Sequence, residues 1–456
     1  MAPGAWFVRH ITYPILFPLL RGVRGRDALE MYAHYLESER WPIERHREVQ
    51  WSAIQRLLAH AHENCPFHRA RMISIGAEPG DFKSLEDYAR LPVLTREDVQ
   101  RNLPDLISRT AKRGAWELNS TSGSTGTPLS FGVDHQRYMR VRAVLHRNQG
   151  WMGLRLGERH ALLWAAFAET RTAKSRLHRF AHWAMNQQLH SAWELGDEDL
   201  RSVNDQMRRW GAKVLTSFSS TLVTYARAIE RLRLQTPRFL GIISTGETLF
   251  PQQRDLIEAA FGCRVFNRYG DMELGDIAHE CEAHDGMHLN EERIYTEIVP
   301  DPTLRDGTGD VVCTDLDNWS MPFLRYRTGD MARWHERPSD CACGRPLRRF
   351  AEVQGRRYDI VVDRDGTPIN GLVLEDIGSG AEGVASFQCV QRAPDRLLFR
   401  VIPLPGFDRD TIHHNLLERS RRSIGPERFQ IDLELVDEIA PTKSGKLRQI
   451  VVEMDG

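Results

Sequence analysis

The sequence has no excess of charge of either sign. Its 61 Lys and Arg residues stand against 62 Asp and Glu residues, which gives a net charge of −1 at pH 7. The chain therefore lacks the strong basic field that drives sequence-independent binding to nucleic acid. We expect no nucleic-acid partner, and a small molecule becomes the expected ligand.

Long hydrophobic runs are also missing. The most apolar stretch, WFVRHITYPILFPLLRG near the N-terminus, is interrupted by Arg9, His10, Pro14 and Pro18. It is shorter than the roughly 20 apolar residues that a spanning helix needs, and no small-residue cleavage site follows it. We expect no membrane span, and we interpret the stretch as a packed or interfacial segment.

Cysteine is scarce, with seven residues in a chain of 456. An odd number of cysteines without an export signal favours reduced thiols or metal ligation over a disulfide framework. A cytoplasmic location follows as an expectation.

The overall composition, with 41% hydrophobic and 27% charged residues, is typical of a soluble globular protein. A chain of this length predicts two or three domains. In EVQWSAIQRLLAHAHENCPF, the residues Ile54, Leu57, Leu58 and Ala61 have the spacing of an amphipathic helix, which Pro66 would end. We predict a mostly helical N-terminal region over residues 1–90.

Two further regions follow from the pattern of apolar runs. From about His160, runs such as AKVLTSF, FLGIIST and CRVFN alternate with helical segments. This alternation predicts a large α/β domain with mixed, largely parallel sheets over residues 91–354. After Gly355 the order strand, strand, helix, strand predicts a small α+β domain over residues 355–456, with the boundary near VQGRRYD.

One loop motif is unusually rich in hydroxyls and glycine. LNSTSGSTGTPLSF, from Leu118 to Phe131, offers many unobstructed backbone N–H groups together with hydroxyl donors, which suits a polyphosphate. It lacks the Gly-Lys-Ser/Thr ending of a Walker A loop. By itself the motif fits a flexible turn equally well.

Four later motifs give this loop a context. They are STGETL (Ser244 to Leu249), RYGDMELG (Arg268 to Gly275), FLRYRTGDMARW (Phe323 to Trp334) and PTKSGKLRQ (Pro441 to Gln449). In this order and spacing the five motifs resemble the adenylate-forming superfamily, most closely its phenylacetate–CoA ligase-like and capsule-biosynthesis (CapK-like) branch. The resemblance extends from about Leu91 to the C-terminus. It implies the acyl-adenylate synthetase fold, with a mobile C-terminal domain.

The resemblance also implies the residues that bind nucleotide. The phosphates of ATP would be held by Thr121, Ser122, Gly123, Ser124, Thr125 and Gly126. Gly246 and Glu247 would line the adenine pocket, Tyr269 would pack beside it, and Asp330 would accept the ribose hydroxyls. Many relatives have Lys where this chain has Thr127, so part of the attraction for phosphate must come from elsewhere.

Catalysis would depend on Lys446 and Glu273. Attack of a carboxylate on the α-phosphorus builds negative charge that the Lys446 ammonium would stabilise, and Glu273 would hold Mg²⁺. Arg345 and Arg356 are further candidates for phosphate or carboxylate contacts, although arginines in turns are more often surface ion pairs. Rotation of the C-terminal domain about a hinge near residues 356–359 would then admit coenzyme A.

The implied activity is ATP-dependent activation of an aryl or small acyl acid, followed by transfer to coenzyme A. One alternative is an adenylate-forming amide ligase that passes the acyl group to an amine or a carrier. Another is a catalytically silent scaffold in polysaccharide assembly. A homodimer is left open.

The cysteines predict a second metal site. Cys281 and His284 in ECEAHDGMH, with Cys341 and Cys343 in CACG, form a Cys₃His set typical of structural zinc. His279 and His288 are the alternatives for the histidine ligand. Ordinary reduced cysteines in loops are the competing interpretation.

Overall fold

A computed structural model describes most of the chain. It covers residues 7–16, 25–120, 129–164, 180, 182–192, 196–300, 307–356, 360–364, 368–425, 428–440 and 448–454. Within these ranges, no helix is both long enough and apolar enough to cross a bilayer. Part of the apolar N-terminal stretch, Val8–Leu16, forms a π-helix.

Helices make up most of the described N-terminal part of the chain. In chain order, the α-helices of the described ranges are α1 (Gly25–Ser38), α2 (Ile43–Asn64), α3 (Pro66–Ile73), α4 (Leu85–Tyr88), α5 (Arg96–Arg101), α6 (Leu103–Leu106), α7 (His135–Gly150), α8 (Asp197–Trp210), α9 (Ser219–Leu232), α10 (Pro251–Phe261), α11 (Gly371–Gly380) and α12 (Arg409–Ile424). Helix α2 confirms the amphipathic pattern, because Ile54, Leu57 and Leu58 are fully buried. They pack against Leu316 and Leu324, which attaches the N-terminal helices to the sheet domain.

The strands fall into separate sheets. They are β1 (Trp116–Ser120), β2 (Ser130–Asp134), β3 (His160–Trp164), β4 (Gln187–Ser191), β5 (Val214–Ser217), β6 (Gly241–Thr245), β7 (Val265–Asp271), β8 (Gly275–Glu280), β9 (Met287–Leu289), β10 (Ile294–Pro300), β11 (Gly309–Asp315), β12 (Tyr326–Trp334), β13 (Arg349–Arg356), β14 (Ile360–Val362), β15 (Pro368–Asn370), β16 (Val384–Ala393), β17 (Arg396–Pro403), β18 (Gln430–Leu435) and β19 (Ile450–Val452). Strands β1 and β2 form an antiparallel pair of their own.

The main sheet has eleven strands in the order β10-β11-β12-β13-β9-β8-β7-β6-β5-β3-β4. Strands β4, β3, β5, β6 and β7 are parallel. The alternation of apolar runs and helices predicts β3, β5, β6 and β7 but not β4, whose sequence QQLHS is mostly polar. From β7 onward the pairing becomes antiparallel through to β10. The sheet is therefore mixed, and β7 is the strand at which its two halves meet.

The C-terminal part of the chain builds separate sheets. Strands β18, β17, β16 and β19 form a four-stranded sheet, and β14 pairs with β15. Helices α11 and α12 cover this sheet around a core that includes Leu374, Phe387 and Leu416. This is the predicted α+β module. The domain limits at residues 90/91 and 354/355 stay predictions.

Candidate functional site

The carboxyl ends of the parallel strands meet at one edge of the main sheet, the usual position of a ligand site in such sheets. Gly246 follows β6 with φ +79°, a conformation that side chains rarely adopt. The next residue, Glu247, accepts hydrogen bonds from the backbone amide of Ser220 (2.8 Å) and from its hydroxyl (3.0 Å). Glu247 is thereby held against the first turn of α9, next to the strand edge.

A tight hairpin between β7 and β8 carries the second motif to this edge. A Cβ atom on Gly270 would lie 2.3 Å from the carbonyl oxygen of Gly275, so only glycine fits there. Within the turn, the amide of Leu274 donates to Asp271 Oδ1 at 2.5 Å. This geometry places Tyr269 and Glu273 a few residues apart at the end of one strand.

Tyr269 joins this hairpin to β12. Its hydroxyl donates to Asp330 Oδ2 at 2.8 Å and lies 3.2 Å from the hydroxyl of Thr328. Burial and the charge of Asp330 raise the pKa of Tyr269 well above its ordinary value. The phenol therefore keeps its proton and orients the Asp330 carboxylate.

Glu273 lies among buried groups at the same site and is only 6% exposed. Its Oε1 atom is 3.4 Å from Arg96 Nη1 and 3.4 Å from the hydroxyl of Tyr326. Burial and the charge of Glu273 raise the pKa of neighbouring Asp271 well above its usual range. A divalent cation would relieve this repulsion, and carboxylate oxygens are ligands that Mg²⁺ prefers. The donor set therefore fits the predicted magnesium ion.

Arg96 is a site residue that the sequence analysis missed. It begins α5, directly after a segment in which Leu94 bonds to the neighbouring β12 region. The amide of Leu94 donates to the carbonyl of Arg325 (2.8 Å), and its own carbonyl accepts from the amide of Arg327 (2.9 Å). This bridge fixes the start of α5 beside Glu273, and no local motif signals it.

Arg137 on α7 was also missed. Its Nε donates to Asp315 Oδ2 at 2.5 Å, and its Nη2 donates to the carbonyl oxygen of Glu273 at 2.6 Å. The Arg137 and Asp315 side chains are 4% and 0% exposed. Arg137 thus holds the backbone of the β7–β8 hairpin through its hydrogen bond to Glu273. Its buried ion pair with Asp315 fixes the guanidinium in this position.

Several predicted site residues cannot be placed in this geometry. The loop from Thr121 to Gly126 and the C-terminal Lys446 lie outside the described residues. Arg356 is the last residue of β13, and its backbone is the register partner of Asp330.

Arg345, predicted among the nucleotide contacts, requires a correction. It is buried, and its guanidinium donates to Glu39 (3.2 Å) and to Glu282 (2.8 Å). It also stacks over Trp151 at 4.9 Å from the ring centre. Because its guanidinium is already paired with two carboxylates of the protein beside the cysteines, Arg345 is a structural residue of that region.

The cysteine cluster is present with a different histidine. The ligand atoms of Cys281, His288, Cys341 and Cys343 all lie within 4.8 Å of one another. His284 is not part of this group, because its Nδ1 faces Glu280 Oε2 at 3.4 Å and its ring contacts Phe266. His288, one of the two alternatives, takes the fourth position, since β9 places it beside both cysteine-bearing turns.

Comparisons with known proteins agree with this architecture. The family model of the CapK C-terminal domain matches residues 361–453. The chain is 26% identical to phenylacetate-coenzyme A ligase of Pseudomonas putida over 328 residues, which cover 70% of this chain and 72% of that protein. It is 22% identical to Protein CapK of Staphylococcus aureus over 449 residues, which cover 95% and 96% of the two chains.

A solved structure shows the same fold. The crystal structure of 2-hydroxyisobutyryl-CoA ligase in the postadenylation state, in complex with R3-HIB-AMP, superposes with a TM-score of 0.75. The sequences are 21% identical, and the match covers 91% of each chain. This likeness confirms the predicted acyl-adenylate synthetase fold.

Removing the Arg137 charge should destabilise the protein strongly. Arg137→Met leaves Asp315 buried without its closest cation, a change that typically costs about 3–5 kcal/mol. We expect a large fall in the thermal unfolding midpoint. As a control, Arg231→Met removes an exposed ion pair with Asp197, whose partners are 57% and 55% exposed. That change should cost about 1 kcal/mol or less, and equal shifts for the two variants would contradict the role given to Arg137.

Proposed function

We propose that the chain, which is similar to phenylacetate–CoA ligases and to CapK, is a member of the adenylate-forming superfamily and activates a carboxylic acid with ATP. The acid is an aryl or small acyl acid, and coenzyme A receives the acyl group. The observation that carries the proposal is the convergence of Tyr269, Glu273 and Asp330 at the carboxyl edge of the parallel strands.

The reaction has two steps. A carboxylate oxygen of the acid attacks the α-phosphorus of ATP, and pyrophosphate leaves as the acyl-adenylate forms. The thiol of coenzyme A then loses its proton to solvent, its sulfur attacks the acyl carbon, and AMP leaves with the bonding electrons. Each step moves negative charge onto phosphate oxygens, which is why cationic groups at fixed positions are required.

The described residues supply the nucleotide contacts. Asp330 accepts the two ribose hydroxyls, and Tyr269 keeps its carboxylate oriented through the 2.8 Å hydrogen bond. Gly246 and Glu247 lie beside the adenine, where a residue without a side chain allows close approach. Glu273 would hold Mg²⁺, which when bound would neutralise charge on the triphosphate.

Arg96 supplies a cation for the phosphates. Its guanidinium is 3.4 Å from the carboxylate of Glu273, so it lies next to the acid assigned to magnesium. Because Thr127 stands where many relatives have a lysine, the phosphates need positive charge from another segment. A guanidinium offers several donors in a plane that matches phosphate oxygens.

The segments outside the described residues complete the proposal. The resemblance assigns binding of the ATP phosphates to Thr121 to Gly126, and it assigns to Lys446 the positive charge that would bridge the attacking carboxylate and the α-phosphate. The C-terminal domain rotates near residues 356–359 between the two steps. A structural zinc ion would take no part in this chemistry. A cytoplasmic location and a homodimer stay predictions.

The first test is carboxylate-dependent exchange of pyrophosphate into ATP, measured without an acceptor over a panel of aryl, acyl and amino acids. We expect exchange with one class of acid, followed by AMP release when coenzyme A is added. AMP release with amines but not with coenzyme A would identify an amide ligase instead. Silence across the panel, from folded protein that binds ATP, would favour the scaffold alternative.

Lys446→Ala should reduce the exchange rate by at least about a hundredfold, the size expected for losing a strong electrostatic contact in the transition state. The ATP Kd should change little, because the proposed contact develops during attack. Lys443→Ala, in the same PTKSGK segment, is the matched control and should retain most of the activity. A Lys446→Ala variant with wild-type exchange would refute the catalytic assignment.

Arg96→Met should weaken ATP binding by roughly tenfold or more, because a charge-assisted hydrogen bond to phosphate is worth about 1.5–3 kcal/mol. AMP binding should change much less, since AMP lacks the β- and γ-phosphates. Arg101→Met alters the exposed opposite end of the same helix and serves as the control. Equal losses of ATP and AMP affinity would place Arg96 away from the distal phosphates.

A further inference from the structure

The four cysteine and histidine ligands come from neighbouring parts of the main sheet. Cys281 follows β8, His288 lies in β9, and the turn with Cys341 and Cys343 connects β12 to β13. Strand β9 pairs with both β8 and β13, and His288 is the register partner of His279 and Arg349. The sheet itself therefore brings the four side chains together.

Two distances within the cluster are close to those expected around one tetrahedral metal ion. Cys281 Sγ and Cys341 Sγ are 3.8 Å apart, and Cys343 Sγ is 3.3 Å from His288 Nε2. A zinc ion with bonds of about 2.3 Å to sulfur and about 2.0 Å to nitrogen separates its ligand atoms by roughly 3.5–3.8 Å. All four positions of such an ion are filled by protein, which is typical of structural sites.

Hydrogen bonds around the cluster prepare it for a metal. His288 Nδ1 lies 3.0 Å from the carbonyl of Leu347 and must donate to it, so Nε2 carries the lone pair that faces the cysteines. The amides of Ala283 and Arg345 each donate to a cysteine sulfur, Cys281 and Cys343 respectively, at 3.4 Å. Backbone N–H groups that donate to a cysteine sulfur stabilise its thiolate, which is the form that binds metal.

The cluster also contacts the end of helix α1. Arg40 Nη1 donates to the carbonyl oxygen of Cys343 at 3.0 Å. Glu39 accepts from Arg345 Nε at 3.2 Å and from Trp151 Nε1 at 2.8 Å. The ring of Trp151 lies edge-on against His288, with the ring centres 5.7 Å apart. A short chain of contacts thus links the cluster to the N-terminal helices.

We propose that Cys281, His288, Cys341 and Cys343 bind one zinc ion in a closed structural site, and that this ion fixes the turn on which the end of α1 docks. Thiolate and imidazole ligands in a tetrahedral set select zinc over hard cations. The ion organises the side of the sheet that faces the N-terminal helices. It is independent of the ligase reaction, and its test does not use activity.

Metal analysis tests the site directly. Wild-type protein, purified without chelator, should contain about one zinc ion per chain, and X-ray absorption at the zinc edge should show three sulfur ligands and one nitrogen ligand. Cys343→Ala and His288→Ala should lose the zinc, whereas Cys263→Ala, a half-buried cysteine outside the cluster, should keep it. Folded wild-type protein that contains no zinc, or iron in its place, would overturn the assignment. This measurement decides the matter even if the variants fail to fold, because it uses the wild-type protein alone.

Hydrogen exchange tests the docking. Stripping zinc with a chelator should speed amide exchange in peptides covering residues 36–42 and 341–345, while α8 stays unchanged. Glu39→Gln should keep its zinc yet exchange at least about tenfold faster at the end of α1, because it loses charge-assisted hydrogen bonds. Zinc removal that leaves exchange over residues 36–42 unaltered would refute the docking role, while the metal analysis would still decide the site.

Discussion

The buried ion pair between Arg137 and Asp315 joins the parts of the molecule that meet at the candidate site. Helix α7 supplies the cation, the end of β11 supplies the anion, and the second arm of the guanidinium holds the carbonyl of Glu273. Desolvated charges of this kind are costly unless both partners are present, so the pair fixes the relative position of its elements. The hairpin can then hold Asp271 and Glu273 close together despite their mutual repulsion.

Strand β4, with the polar sequence QQLHS, is not marked by any apolar run. Strands β3, β5 and β6 are short apolar runs, and amphipathic helices follow β5 and β6, so most of the parallel half of the main sheet follows from the sequence. The antiparallel half does not. Strand β11 is buried along its whole length, yet it contains Asp310 and Asp315. Their partners include Arg327 on the neighbouring strand (3.2 Å) and Arg137 from a distant helix. Periodicity of apolar residues cannot detect a strand whose buried acids are neutralised by long-range partners.

Whether a residue of the site can be predicted from the sequence likewise depends on whether its partners lie close to it in the chain. Glu273 and Asp330 belong to short motifs with glycines that mark a hairpin and a bend, so local sequence reveals them. Arg96 and Arg137 act on Glu273 from 177 and 136 residues away in the chain. The histidine of the cysteine cluster depends on register as well. Spacing favours His284, but pairing of β9 with β8 and β13 presents His288.

The near-zero net charge has a consequence for nucleotide recognition. With a net charge of −1 the protein exerts no long-range attraction on an anionic ligand, so selectivity must come from the arrangement of charges within the site. In the proposed complex, the Arg96 cation and the Glu273 anion, 3.4 Å apart, face a triphosphate that carries its own cation. Free ATP would bring phosphate against the Glu273 carboxylate without compensation, whereas the magnesium complex matches both signs. In that complex, the ion pair would therefore also favour MgATP over free ATP.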